Sequence, residues 1–101
     1  MPDQPVILIN LLKTEPEKQD MLIALLKENI ETVVKTLDGW KASRLIAAGD
    51  GAGVVICSEW ETLAAVAAMR DHPRMKACFP KILQLASFES VLGPAVLSES
   101  R

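Results

Sequence analysis

The chain has 101 residues, half of them hydrophobic, with 13 acidic and 11 basic side chains and a formal charge of −2 at pH 7. This length predicts a single domain over residues 1–101, with a core at 6–92 and a tail at 93–101. The acidic balance argues against nucleic-acid binding, and no apolar run approaches the roughly 18 residues that span a bilayer. Two cysteines, Cys57 and Cys78, are expected to be buried and reduced, as in a cytoplasmic protein.

A strand followed by an amphipathic helix is predicted after a loose start at residues 1–5. Residues 6–12 form an apolar, β-branched run in which Asn10 is the only polar residue. Thr14 and Glu17 have the spacing of a capping box at a helix start. Apolar residues then recur at steps of three and four, which predicts one buried stripe ending near Gly39. The stripe consists of Met21, Leu22, Leu25, Leu26, Ile30, Val33, Val34 and Leu37.

Two further strands are predicted to form a hairpin. Residues 40–48 alternate, so that Trp40 would share a face with Ala42, Arg44 and Ile46. A glycine-rich turn at 49–53 leads into the strand 54–60. This third strand is apolar on both faces, with the positions Val54, Ile56, Ser58 and Trp60 on one face and Val55, Cys57 and Glu59 on the other.

The last third of the chain predicts a broken helix and a final strand. Thr62 is the expected cap of a helix that reaches Asp71, and His72-Pro73 is expected to break it. A continuing helix extends to Leu85, with a second kink or boundary predicted at Pro80. Residues 87–92 form the last predicted strand, which Gly93-Pro94 should end.

The order β-α-β-β-α-β predicts an α+β protein of the ferredoxin-like type with an antiparallel sheet. The first and third strands should lie in the centre, with both helical regions on one face. The other face would then expose more apolar surface than a small monomer usually shows. Its residues would include Ile7, Ile9, Leu11, Val55 and Cys57. We therefore expect a homodimer that pairs one open sheet face with the other.

Several short motifs occur in a characteristic order along this pattern. The first strand carries Asn10, Asp38-Gly39-Trp40-Lys41-Ala42-Ser43 opens the second strand, and Ser58-Glu59-Trp60-Glu61-Thr62 joins the third strand to a helix. With the His72-Pro73 break, they make the chain resemble the antibiotic biosynthesis monooxygenase superfamily from about Val6 to Val91. The resemblance implies a dimeric α/β barrel. Its members include cofactor-free oxygenases of polyketide anthrones, quinol oxygenases, haem-degrading enzymes and proteins of other roles.

The resemblance carries over to individual residues only in part. Asn10 and Trp60 match an Asn and a Trp that face a common pocket in the anthrone-type oxygenases. Ile56 stands where those enzymes often have a second Asn, and an Arg used by some of them has no match near Pro80-Lys81. Met69 and Phe79 stand where haem-degrading relatives have a helix Trp and an iron-binding His. Haem ligation therefore loses its main support.

Each candidate residue also has a purely structural interpretation. The Asn10 carboxamide would bond a substrate carbonyl or phenolate, or alternatively cap a strand end or bond backbone. Trp60 would stack on a planar ligand or simply pack at a helix start. His72, which is the only histidine, would act as a general base, or alternatively face solvent or bond backbone. Met69 and Phe79 would line a pocket or fill the core.

The sequence thus predicts a cofactor-independent monooxygenase that acts on a small aromatic phenol, quinol or anthrone-like substrate. Asn10, Trp60 and His72 are the predicted catalytic residues, with no metal and no cofactor. The predicted substrate-binding residues are Ile56, Ser58, Met69 and Phe79. The alternative is a non-catalytic, small-molecule-binding dimeric module of the same fold. A haem-degrading oxygenase ranks third.

Overall fold

A four-stranded antiparallel sheet with its helices packed on one face makes up the structure. The computed structural model describes residues 5–101, so the predicted loose start at 1–5 lies almost wholly outside the described residues. The strands are β1 (Val6–Lys13), β2 (Trp40–Ala47), β3 (Gly53–Trp60) and β4 (Ser87–Pro94). The helices are α1 (Pro16–Thr32), α2 (Leu63–Asp71) and α3 (Pro73–Leu85), and a 3₁₀ turn spans Val34–Thr36.

The strand order is β2-β3-β1-β4, and every neighbouring pair is antiparallel. This is the ferredoxin-like order, with β1 and β3 in the centre, and it confirms the predicted fold class. No helix of the described chain is both long enough and apolar enough to cross a membrane.

The two faces of the sheet follow from the alternation of side chains along each strand. On the helix-covered face, Val6, Leu8 and Leu12 of β1 are 3–4% exposed. The opposite face, called the open face here, carries the predicted apolar set and is covered by no helix of the described residues. Its members are Ile7, Ile9, Leu11, Val55 and Cys57. Leu11 is 41% exposed.

A bulge in β2 changes the predicted position of Trp40. The register slips between Trp40 and Ala42, which leaves Trp40 opposite Trp60 of β3. Trp40 therefore packs against the helix-side core, and its Nε1–H donates to Ser43 Oγ at 2.9 Å. The prediction that Trp40 shares a face with Ala42 was wrong, because strict alternation holds only in a strand without an inserted residue.

The start of α1 differs from the predicted capping box. Glu15 occupies the N-cap position without a capping side chain, and Pro16 begins the helix. Thr14 Oγ1 instead donates to the Leu85 carbonyl at 2.6 Å. The Thr14 hydroxyl thus joins the start of α1 to the end of α3, a contact that a local motif does not reveal.

The buried stripe of α1 is narrower than predicted. Leu22 and Leu26 are almost fully buried, but Met21 is 61% exposed. The helix α1 ends at Thr32, short of the predicted end near Gly39. Gly39 has the positive φ expected of it, at +85°, but in the turn before β2 and not at the end of α1. A Cβ at Gly39 would lie 2.5 Å from Ala65 Cβ, so this position needs glycine for space as well as for conformation.

The helices α2 and α3 begin largely as predicted. Thr62 Oγ1 accepts a hydrogen bond from the Ala65 amide at 3.0 Å, which confirms the cap. The break falls at His72-Pro73, also as predicted. Pro80 is no boundary, because α3 continues through it with this residue on the exposed side. The strand β4 extends through Gly93 to Pro94, beyond its predicted end.

Candidate functional site

The core beneath the helices is divided into two packed clusters. One cluster consists of Val6, Leu8, Val34, Trp60, Val66 and Met69. The other consists of Leu12, Leu22, Leu26 and Val54. On β1, Asn10 lies between Leu8 of the first cluster and Leu12 of the second. A cavity of about 440 Å³ occupies this interval, and residues of both clusters line it.

The floor of the cavity is a row of three side chains across the sheet. Asn10 pairs with Ile56 on β3 and with Ser90 on β4, and all three line the cavity. Ser90 Oγ donates to Asn10 Oδ1. Within residues 5–101 this is the only hydrogen bond of the Asn10 side chain, so its NH₂ group is available as a donor to a bound molecule.

Trp60 and Met69 form the inner wall. Trp60 is 1% exposed and Met69 is 8% exposed, and both belong to the first cluster. Within residues 5–101, Trp60 Nε1 is the one buried side-chain nitrogen or oxygen without a hydrogen-bond partner. Such an unpaired donor is costly, so most buried polar atoms have partners.

Ser58 also lines the cavity, beside the floor, but its hydroxyl is hydrogen-bonded within the chain. It is 6% exposed, and its Oγ lies 3.1 Å from Ser43 Oγ. Ser43 in turn accepts the hydrogen bond from Trp40. This short network connects the cavity to β2 and satisfies a buried hydroxyl.

The helices form the roof and the mouth. Met75, Phe79 and Ile82 of α3 line the cavity, and Phe79 packs edge-on against Phe88 of β4 with 5.0 Å between ring centroids. Most lining residues are buried or half-buried. The exposed ones are Arg70, Lys76, Phe79 and Ser90. These four residues define the mouth, which opens between the α2–α3 region and β4.

His72 lies away from the cavity. It occupies the junction of α2 and α3, and its Nδ1 accepts a hydrogen bond from the Arg74 amide at 3.2 Å. It caps α3 in this position and does not line the cavity. Its geometry favours the structural interpretation.

The other predicted site residues come together around one cavity. They are Asn10, Ile56, Ser58, Trp60, Met69 and Phe79. Their catalytic and binding roles remain predictions. The sequence reasoning missed Asn29, Arg70, Lys76 and Ser90. The signal for Ser90 was present, since it alternates with Phe88 and Leu92 on one face of the last strand, and Lys76 precedes Phe79 by one helical turn.

A second, shallower cleft of about 220 Å³ lies between α1 and α3. It contains Cys78, and burial raises the pKa of the Cys78 thiol, an effect that nearby Lys81 partly opposes. A raised pKa disfavours the reactive thiolate, so this cysteine is a poor nucleophile. No group of three or more metal-binding side chains occurs in the part of the chain that the structure describes.

The fold and the cavity define a small α+β protein that can enclose an apolar molecule between its sheet and its helices. The family model described as antibiotic biosynthesis monooxygenase matches residues 5–81. The chain therefore belongs to the antibiotic biosynthesis monooxygenase family, as the sequence resemblance predicted. No curated protein sequence matches the chain.

Several solved structures share this fold. Rv0793 from Mycobacterium tuberculosis is 23% identical, with a TM-score of 0.81 over 96% of this chain and 99% of that one. SnoaB, a cofactor-independent oxygenase from Streptomyces nogalater, is 15% identical, with a TM-score of 0.78 over 94% and 96%. SO0527 from Shewanella oneidensis is 18% identical, with a TM-score of 0.80 over 90% of each chain. At these identities, the likeness establishes the fold.

Proposed function

We propose that this protein is a cofactor-independent monooxygenase that oxidises a small aromatic phenol, quinol or anthrone-like compound. The observation that carries the proposal is the Asn10 carboxamide, which lies on the floor of an otherwise largely apolar cavity with its NH₂ group unpaired by the described chain. The cavity volume of about 440 Å³ falls within the roughly 300–1,000 Å³ typical of small-molecule sites. Family membership and the fold shared with SnoaB support the same reaction class.

Asn10 would act on the oxygen of the substrate. Its Oδ1 is held by Ser90, so the carboxamide orientation is fixed with the NH₂ group directed to a different partner. A fixed N–H donor stabilises an oxyanion more effectively in an apolar enclosure than in water. A phenolate or enolate oxygen bound at this position would be favoured over the neutral substrate.

The lining offers no general base. None of the described residues that line the cavity is a histidine or a carboxylate. The substrate must therefore be acidic enough to lose its proton to water, with Asn10 stabilising the anion. This requirement fits anthrones and quinols, whose anions are delocalised over the ring system.

The anion itself would supply the electrons to molecular oxygen. For an anthrone, the enolate carbon forms a C–O bond with O₂ to give a peroxide, and the O–O bond then breaks as the remaining C–H proton leaves. One oxygen atom ends as the new ring carbonyl and the other leaves as water. The CH₂ carbon is oxidised and O₂ is reduced, so no further reductant is needed. Trp60 would form one wall for the ring system.

Two further features belong to this proposal. The apolar open face supports a homodimer that buries it, since an uncovered apolar face of this size is unusual in a monomer. The two free cysteines support a cytoplasmic location, where thiols stay reduced.

Oxygen uptake with a panel of anthrones and quinols tests the proposed reaction. We expect turnover by the unmodified protein and a loss of about 10²–10³-fold in kcat for Asn10→Ala, the range seen on removing one oxyanion donor. The matched control is Gln84→Ala, which removes a carboxamide from the exposed surface of α3. Absence of turnover with every compound would contradict the proposed reaction. Equal rates for the unmodified protein and the Asn10→Ala variant would contradict it as well.

A non-catalytic binding module of the same fold is the second candidate. Its support is Ile56, which lies directly across from Asn10 and leaves the floor with a single carboxamide. Binding of the same compounds without oxygen uptake would favour this candidate over the monooxygenase.

A further inference from the structure

All charged residues of the described cavity lining lie at its mouth. Arg70 is in the last turn of α2, Lys76 is in the first turns of α3, and both are exposed. The described lining contains no Asp or Glu. The only charged residues of the described lining are therefore cations, although the protein as a whole has a net charge of −2.

Neither cation forms an ion pair within residues 5–101. The ion pairs within residues 5–101 are Lys18 with Glu15 and Lys41 with Glu59, both distant in sequence from the mouth. Arg70 and Lys76 therefore have no carboxylate of the described residues within 4.0 Å. A positive potential at the entrance of an apolar cavity attracts anions and raises their rate of association.

The mouth and the floor share one residue. Ser90 is exposed at the mouth, and its hydroxyl donates to Asn10 on the floor. Lys76 lies one helical turn before Phe79, which packs on Phe88, two residues from Ser90 on β4. The cations at the mouth and the carboxamide on the floor line one and the same cavity, so a ligand that fills it lies between them.

From this arrangement we propose that the ligand is an aromatic acid. Its anionic group, of the carboxylate class, is held at the mouth by Arg70 and Lys76, and its ring system fills the apolar interior. The inference rests on the proposed function, whose substrate class it narrows. An arginine guanidinium bonds a carboxylate in a bidentate manner, and the aliphatic stems of both cations extend the apolar wall. A partner on the open face would leave this mouth accessible, since it lies on the other side of the sheet.

Two probes of nearly the same shape, one anionic and one neutral, test the inference. Anthraquinone-2-carboxylate and anthraquinone-2-carboxamide are titrated into the protein by isothermal titration calorimetry at low ionic strength. We expect the carboxylate to bind about tenfold more tightly, the combined effect of two exposed charge pairs. The preference should shrink as salt is added, because exposed charges are screened.

Charge-removing variants identify the responsible residues. We expect Arg70→Gln and Lys76→Gln each to lower the preference about threefold. The double variant should bind the two probes equally, and a circular dichroism spectrum and urea midpoint matching those of the unmodified protein show that it is folded. The control is Arg74→Gln, which removes the same charge from α3 in the outer cleft and should keep the full preference.

The outcomes separate this inference from the proposed function. Equal affinity of the unmodified protein for the two probes would contradict the anion preference but not the proposed monooxygenase. The same holds if Arg74→Gln lowers the preference for the carboxylate as much as Arg70→Gln or Lys76→Gln does. Failure of both probes to bind overturns it too, and oxygen uptake then decides the reaction independently. A preference for the carboxylate without oxygen uptake would support the aromatic-acid ligand and contradict the proposed monooxygenase activity.

Discussion

The two faces of the sheet are built from the same strands but differ in what covers them. On the helix-covered face, apolar residues pack in two clusters, and the polar Asn10 and Ser90 bond each other between them. On the open face, Ile7 and Ile9 lie on the same strand, and no element within residues 5–101 covers them. Alternation therefore makes both faces apolar, but only the covered face encloses a volume in which a ligand can be held.

The largest expected effect comes from a charge on the open face. In a dimer that buries this face, Ile9→Glu would place an uncompensated carboxylate in the interface, at a cost of about 3–5 kcal/mol. We expect the dimer dissociation constant to rise by at least about a hundredfold, measured by sedimentation equilibrium, while the subunit stays folded. The control is Ala24→Glu, which adds the same charge on the exposed side of α1. An unmodified protein that is already monomeric at micromolar concentration would contradict the proposed dimer.

A slightly smaller effect is expected from a deletion on the covered face. Leu22 is fully buried against Leu12, Leu26 and Val54. Leu22→Ala should lower the free energy of unfolding by about 2–5 kcal/mol, because it removes apolar contacts and leaves a cavity. Urea denaturation followed by circular dichroism measures the change.

The matched control for this deletion is Leu11→Ala on the open face. In the Ile9→Glu monomer, we expect it to cost about 1 kcal/mol or less, since Leu11 is already 41% exposed there. Equal costs at the two positions would mean that the open face is not solvent-exposed in the monomer, and the comparison of the faces would fail.

The smallest expected effect concerns the two cysteines, one on each side of the sheet. Burial raises the pKa of Cys78, so at a given pH it has less thiolate than a free thiol. Its alkylation by iodoacetamide should be slow at pH 8 and should rise with pH. Single-cysteine variants separate its rate from that of Cys57 on the open face. Dilution that dissociates the dimer should speed alkylation of Cys57 and leave Cys78 unchanged, and an equal change at both would contradict a buried open face.

Local patterns were sufficient for most of the elements. The Thr62 cap, the positive φ of Gly39 and the break at His72-Pro73 depend on neighbours close in sequence. The predictions were wrong where a residue's contacts come from a part of the chain that is distant in sequence. Thr14 was assigned to a local capping box, but its hydroxyl bonds Leu85, which lies 71 residues away.

The candidate site shows the same division. Asn10 and Trp60 were found because they stand out in apolar strands and match the family motifs. Ser90 and Lys76 were missed because the spacing in their own segments places them on a face of a strand or helix but does not show that this face lines a cavity. Ser90 reaches the cavity only because β4 pairs with β1. Lys76 reaches it only because α3 packs across the sheet.

The sequence by itself determined the order of the elements and the two apolar faces of the central strands, because period and turn chemistry are local properties of the chain. Only the tertiary structure decided that the core divides on either side of Asn10, that a cavity remains there, and that two cations stand at its mouth. The physical reason is that empty volume and the placement of charge depend on how helices pack across strands, and no single segment of the chain specifies that packing.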